Sequence, residues 1–122
     1  MALKSILIID DDLSILETVK KILNLKGFKV LTASNGEAGL SMVKNGNDIG
    51  LILLDLMMPV MDGFEFLESR AQDRELADIP VIVLSAGEDR PNAKNYDIHK
   101  VISKPFRFNQ LLKEIEVLGL GN

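Results

Sequence analysis

Ile6-Leu7-Ile8-Ile9-Asp10-Asp11-Asp12 sets the architecture of this chain. Four consecutive branched aliphatic residues, broken at once by three carboxylates, read as a short strand buried on both faces. The same punctuation recurs downstream. Leu51-Ile52-Leu53-Leu54 ends on Asp55, Val81-Ile82-Val83-Leu84 ends on Ser85, and Val101-Ile102-Ser103 ends on Lys104-Pro105. Strands of this composition belong to parallel sheets, whose carboxyl ends form the ligand crevice. Set side by side, the four runs bring carboxylates, a hydroxyl and an ammonium to one edge. That set suits a hard divalent cation and a phosphoryl group.

Between the apolar runs the period changes to that of helices. Leu13, Leu16, Val19 and Leu23 are spaced by three and four, with Asp12 placed to cap the helix and Gly27 to end it. Phe28, Val30 and Thr32 alternate as a strand does. Ser34 and Glu37, three apart, predict a capping box that opens a short helix carrying Ala38 and Met42, closed by Asn45-Gly46. Pro59 and Asp62-Gly63 predict a loop and a turn, then Phe64, Leu67 and Ala71 a helix. Phe108, Leu111, Leu112, Ile115 and Leu118 predict a last amphipathic helix. Strand and helix alternate five times, which argues for a parallel sheet with helices on both faces. The stretch Gly87–His99, with Gly87, Pro91, Asn92 and Asn95, supports its expected fourth helix poorly.

The 122 residues suit one domain, 1–122, without linker or repeat. At 47% hydrophobic and 26% charged the composition is that of a globular protein. The net charge of −4 favours neither a nucleic-acid backbone nor an anionic membrane. No cysteine is present, which removes disulfides, thiolate nucleophiles and cysteine-bound zinc. No apolar run has the length of a signal peptide core or a membrane span, so a cytoplasmic location is expected.

Each site residue has an ordinary reading beside the chemical one. Negative charge at a helix start explains one aspartate of Asp10-Asp11-Asp12 well and three poorly, because adjacent carboxylates repel unless a cation sits between them. Asp55 follows four apolar residues and precedes Leu56-Met57-Met58, so its carboxylate is expected to be paired or metal-bound rather than solvated. Ser85 and Lys104 carry little alone, although a cis Lys104-Pro105 bond would aim the lysine sharply. His99, the single histidine, reads as a surface or edge residue, and Met57, Met58 and Met61 as filler. Neither GxxxxGK[ST] nor GxGxxG occurs.

Taken in order, Ile6–Asp12, Leu53-Leu54-Asp55-Leu56-Met57-Met58-Pro59, Met61-Asp62-Gly63, Val83-Leu84-Ser85-Ala86 and Ser103-Lys104-Pro105-Phe106 resemble the receiver domain of two-component response regulators, of the stand-alone, single-domain type. The resemblance implies a flavodoxin-like α/β fold: a five-stranded parallel sheet in the order 2-1-3-4-5, helices on both faces, the fourth helix short or irregular. It implies that Asp55 accepts phosphate from a phosphohistidine on a sensor histidine kinase or a histidine phosphotransfer protein. Asp10, Asp11, Asp55 and the backbone carbonyl of Met57 would hold Mg2+. Asp10 would act through a water, and Asp12 would be the cap rather than a ligand. Ser85 and Lys104 would contact phosphoryl oxygens, with the Lys104-Pro105 bond cis. Such a protein is a phosphorylated switch more than an enzyme, though metal-assisted self-phosphorylation and self-dephosphorylation come with the site. It would signal through an output protein whose identity is unknown. Two departures stand out. Val101 occupies the usual aromatic switch position, and the stretch from Ser85 to Lys104 is short for the family.

Other readings compete. A degenerate receiver would act as a phosphorylation-independent binding module, but the acidic pair, Asp55, Ser85 and Lys104 are all in place. A flavodoxin-like nucleotide or flavin carrier needs a phosphate loop after the first strand, where three aspartates would repel it. A phosphatase using Asp55 would need an acid two residues on, where Met57 stands.

Overall fold

The computed structural model describes residues 4–46, 48–55, 63–85, 98–103 and 105–119; the side chains of 63, 64, 74, 75 and 85 are outside that description. Five strands, β1 (Ser5–Ile9), β2 (Val30–Ala33), β3 (Ile49–Asp55), β4 (Val81–Ser85) and β5 (Lys100–Ser103), form one parallel sheet in the order β2-β1-β3-β4-β5. The helices are α1 (Leu13–Leu25), α2 (Gly36–Lys44), α3 (Gly63–Ala71), a single turn α4 (Arg74–Ala77) and α5 (Phe108–Val117). This is the expected doubly wound sheet.

Side chains alternate across a strand, so each apolar run supplies two cores. Ile6, Ile8, Leu51, Leu53, Ile82, Leu84 and Ile102 face Leu16, Val19 and Leu23 of α1 and Leu111 and Ile115 of α5. Leu7, Ile9, Ile52, Leu54, Val81 and Val83 face Leu40 and Val43 of α2 and Phe66 and Leu67 of α3. In β3, Ile49 lies on the same side as Ile52. The register with β1 slips between Ser5 and Ile6, pairing Ser5 with Ile49 but Ile6 with Leu51, so the extra residue Gly50 resets the alternation.

Several local expectations shift. Asp12 does cap α1, its carboxylate accepting from the Ser14 and Ile15 N–H groups at 3.0 and 3.3 Å. Leu13, however, is 66% exposed at the first position of α1, and the buried stripe of the helix begins at Leu16. The cap of α2 is Asn35, whose side-chain oxygen accepts from the Ala38 N–H at 2.8 Å, not Ser34. The helix therefore starts one residue later than the Ser34–Glu37 box placed it, with Asn-Gly serving as cap and first turn. Phe28 precedes β2 rather than joining it, and packs against the α1–α5 core. Gly27 and Gly46 end α1 and α2 at φ of +94° and +86°, a backbone region that other residues enter at a cost.

The turn α4 was not expected. Arg70, only 4% exposed, explains it: its guanidinium donates to the Ile79 carbonyl at 2.8 Å and to the Ala77 carbonyl at 3.0 Å. It thereby caps the turn that delivers Pro80 to β4, each charge-assisted bond contributing about 1.5–3 kcal/mol. The expected irregular fourth helix, Pro59, and the Asp62 turn position lie outside the described residues.

Candidate functional site

Strand register builds the site. Ile9 pairs with Ala33 and Leu54, Asp55 with Leu84, and Ser85 with Ser103. The carboxyl ends of β1, β3, β4 and β5 therefore stop together along one edge, where Asp10 and Asp11 follow β1, Asp55 ends β3 and the backbone of Ser85 ends β4. Apolar side chains fill the strands up to that line and stop at it. Ile9, Leu54 and Ile102 are 0% exposed, and Asp10 and Asp55, at 1% and 7%, are among the few buried polar side chains among the described residues.

Three of the expected residues meet. Asp10, Asp11 and Asp55 each place one carboxylate oxygen within 4.8 Å of the other two, and they are the one such group found among the described residues. Asp10 is buried and held in place, since its Oδ1 accepts the Asp12 N–H at 2.9 Å and its own N–H donates to the Ala33 carbonyl at 3.1 Å. Asp11 is exposed, and Asp55 is buried at the last position of β3. Asp12 stands apart from the cluster, engaged with the α1 N-terminus. The backbone of Ser85 ends β4 next to Asp55, but its hydroxyl is outside the described residues, as are Met57, Lys104 and the Lys104-Pro105 bond.

The donor set fits a magnesium-type cation. The ligands are hard carboxylate oxygens within 4.8 Å of one another, and the exposure of Asp11 leaves the cluster open to the waters that such an ion keeps.

The chain matches the family model for the response regulator receiver domain over residues 6–116. It is 33% identical to the transcriptional regulatory protein CpxR homolog of Haemophilus influenzae over 95% of this chain and 50% of the relative. It is 37% identical to response regulator RR06 of Streptococcus pneumoniae over 93% of this chain and 52% of the relative. The chain thus spans about half the length of the curated relatives it matches. Among solved structures, the Vibrio cholerae chemotaxis protein CheY4 superposes with a TM-score of 0.84 at 30% identity, covering 96% of this chain and 99% of that one. The Thermotoga maritima response regulator TrrA, solved in complex with Mg2+-BeF, gives 0.83 at 30% identity, covering 95% and 99%. The chain belongs to the receiver-domain family of two-component response regulators. Members of that family are signalling switches rather than turnover enzymes, and they bind Mg2+ at an aspartate cluster. No described helix is long and apolar enough to cross a membrane.

Two features of the fold carried no signal in the sequence. The burial of Arg70 depends on carbonyls seven and nine residues on, at the edge of the sheet where β4 begins. The close approach of Gly39 in α2 to Ile9 had no signal in a single sequence, because it depends on how deeply the helix seats on the sheet.

Proposed function

We propose that residues 1–122 act as one phospho-accepting receiver in which Asp55 is the nucleophile. The supporting observation is the convergence of Asp10, Asp11 and Asp55 at the carboxyl edge of the sheet, with Asp55 buried at the end of β3. On this reading an Asp55 carboxylate oxygen attacks the phosphorus of a phosphohistidine on a sensor kinase or phosphotransfer protein. The P–O bond forms as the P–N bond breaks, and the imidazole leaves with its electron pair and takes a proton. Asp10, Asp11, Asp55 and the Met57 carbonyl would hold Mg2+, which would supply positive charge to the phosphoryl oxygens. Ser85 donates a hydrogen bond to one phosphoryl oxygen, and Lys104 pairs with another. Water admitted to the same site hydrolyses the acyl phosphate and resets the switch.

The complete set of reactive residues favours this reading over a degenerate binding module. Transmission differs from a rotating aromatic ring, since Val101 pairs with Val83 and packs against the α2–α3 core. One relative is named a DNA-binding transcriptional regulator, and residues 1–122 themselves are not suited to such a contact. A chain of net charge −4 has no general attraction for a polyanion.

Intact-mass spectrometry after incubation with acetyl phosphate tests the assignment. One phosphoryl group should appear in the presence of Mg2+, fade on chelation, and be absent from Asp55→Asn. Equal labelling of Asp55→Asn and wild type would remove Asp55 from its role.

A further inference from the structure

Gly39 sits in the middle of α2 with its backbone against the last residue of β1. A Cβ placed on it would collide with Ile9 Cδ1, lie 3.0 Å from Ile9 Cγ1 and stand 3.7 Å from Phe66 Cε2. Ile9 and Phe66 are both 0% exposed, so the isoleucine has no solvent to retreat into, and a close-packed interior gives way poorly. Glycine in a helix interior is otherwise disfavoured relative to alanine. Its presence here goes with an isoleucine whose terminal methyl fills the space an alanine would claim.

That contact bears on the acidic cluster. Ile9 is bonded to Asp10, and its register partners are Ala33, whose carbonyl holds the Asp10 N–H at 3.1 Å, and Leu54, which precedes Asp55. A push on Ile9 therefore reaches the chain beside two of the three carboxylates. Mg2+ demands near-ideal octahedral geometry, so displacements of a few tenths of an ångström matter to it.

We propose that Gly39 is a positioning residue for the acidic cluster: the absent Cβ and the Ile9 terminal methyl form one complementary pair that sets where the end of β1 places Asp10 and Asp11. This rests on the reading of that cluster as a Mg2+ site.

Four versions of the 122-residue chain test it: wild type, Gly39→Ala, Ile9→Val and the double variant. Each is titrated with MgCl2 and followed by backbone amide NMR, and metal-free spectra are compared at Asp10–Asp12. Gly39→Ala should raise the Mg2+ Kd about tenfold, as loss of a partner supporting metal ligands does, and should move the Asp10–Asp12 resonances without metal. The double variant, which lacks the Ile9 δ-methyl, should recover the wild-type Kd and resonances. A purely structural role would change melting temperature while leaving Kd alone. Wild-type Kd and unmoved resonances in Gly39→Ala overturn the proposal, as does a lost affinity that Ile9→Val fails to restore. If wild type binds no Mg2+, the metal reading fails by itself, and the metal-free resonances still decide. Displacement in Gly39→Ala with recovery in the double variant sustains the pairing, and no displacement refutes it. If Gly39→Ala does not fold, folding of the double variant with wild-type resonances supports the pairing, and its failure to fold counts against it.

Discussion

Asp10, Asp11 and Asp12 are chemically identical and consecutive, yet each is in a different environment. Asp10 is buried at 1% and pinned by the Asp12 N–H; Asp11 faces solvent across from Asp55; Asp12 turns away to satisfy two orphan donors of α1. The sequence made the cap legible, since an aspartate just before an apolar period of three and four is where a helix needs an acceptor. It could not make Arg70 legible in the same way, because nothing within one helical turn announces carbonyl partners at Ala77 and Ile79. The division of labour among the aspartates has a measurable consequence. Asp12→Ala should lose about 1 kcal/mol of stability through the lost cap, lowering the urea midpoint, while Mg2+ affinity and Asp55 phosphorylation persist. Loss of Mg2+ binding in Asp12→Ala would place Asp12 among the ligands instead.

Elements were easiest to read where an apolar period was long and hardest at their ends. The stripe of α5 survived intact, with Leu111 and Ile115 fully buried. The start of α2 slipped by one residue because Ser34 and Asn35 are both competent caps, and only the backbone direction, β-like at Asn35, chooses between them. The coupling of β5 to α5 was invisible, since it joins residues fifteen apart. His99 Nε2 lies 3.0 Å from Glu114 Oε1, and Lys100 Nζ lies 3.5 Å from Glu114 Oε2, so the amino end of β5 is tied to the outer face of the last helix. The hydrogen bond from His99 holds the Glu114 carboxyl below its ordinary value; partial burial opposes that, and the charge of Lys100 assists it. A carboxyl depressed in the folded state stabilises the fold at pH values above the ordinary glutamate range, and that contribution is lost as pH falls through the lowered value. Carboxyl-carbon NMR should therefore show Glu114 titrating below a free glutamate in wild type and moving back up in His99→Ala. The contact is a single pair at the edge of the sheet, its side chains 24% and 15% exposed, so the accompanying change in stability should be small. An unchanged Glu114 titration in His99→Ala would mean that the contact does not persist in solution.

At the scale of the molecule, fold and site come from one arrangement. Four apolar runs were readable as strands, and the residues ending them were readable as a site, because a parallel sheet must present its strand ends on one side. What a single sequence did not carry was depth: how far α2 sinks onto β1 at Gly39, and where Gly50 resets the β3 register. That architecture also makes the acidic edge a source of instability without metal. Asp10, Asp11 and Asp55 bring like charges within 4.8 Å of one another, two of them withdrawn from water. Their repulsion is borne by the folded state and is largely absent from the extended chain. A cation that binds only the folded form offsets it by mass action: at ten times its Kd the gain is about 1.4 kcal/mol, a rise in Tm of roughly 5 °C for a domain of this size. Removing one charge acts in the same direction without metal, so Asp11→Ala should melt higher than wild type in EDTA and should gain nothing further from MgCl2. Asp11 is the informative position because it is exposed, and its truncation leaves no cavity. Calorimetry of the two proteins, with and without Mg2+, checks both halves. If Asp11→Ala melts lower than wild type in EDTA, the cluster is not strained by its own charge, and any stabilisation by Mg2+ must come from somewhere other than relief of repulsion among these three carboxylates.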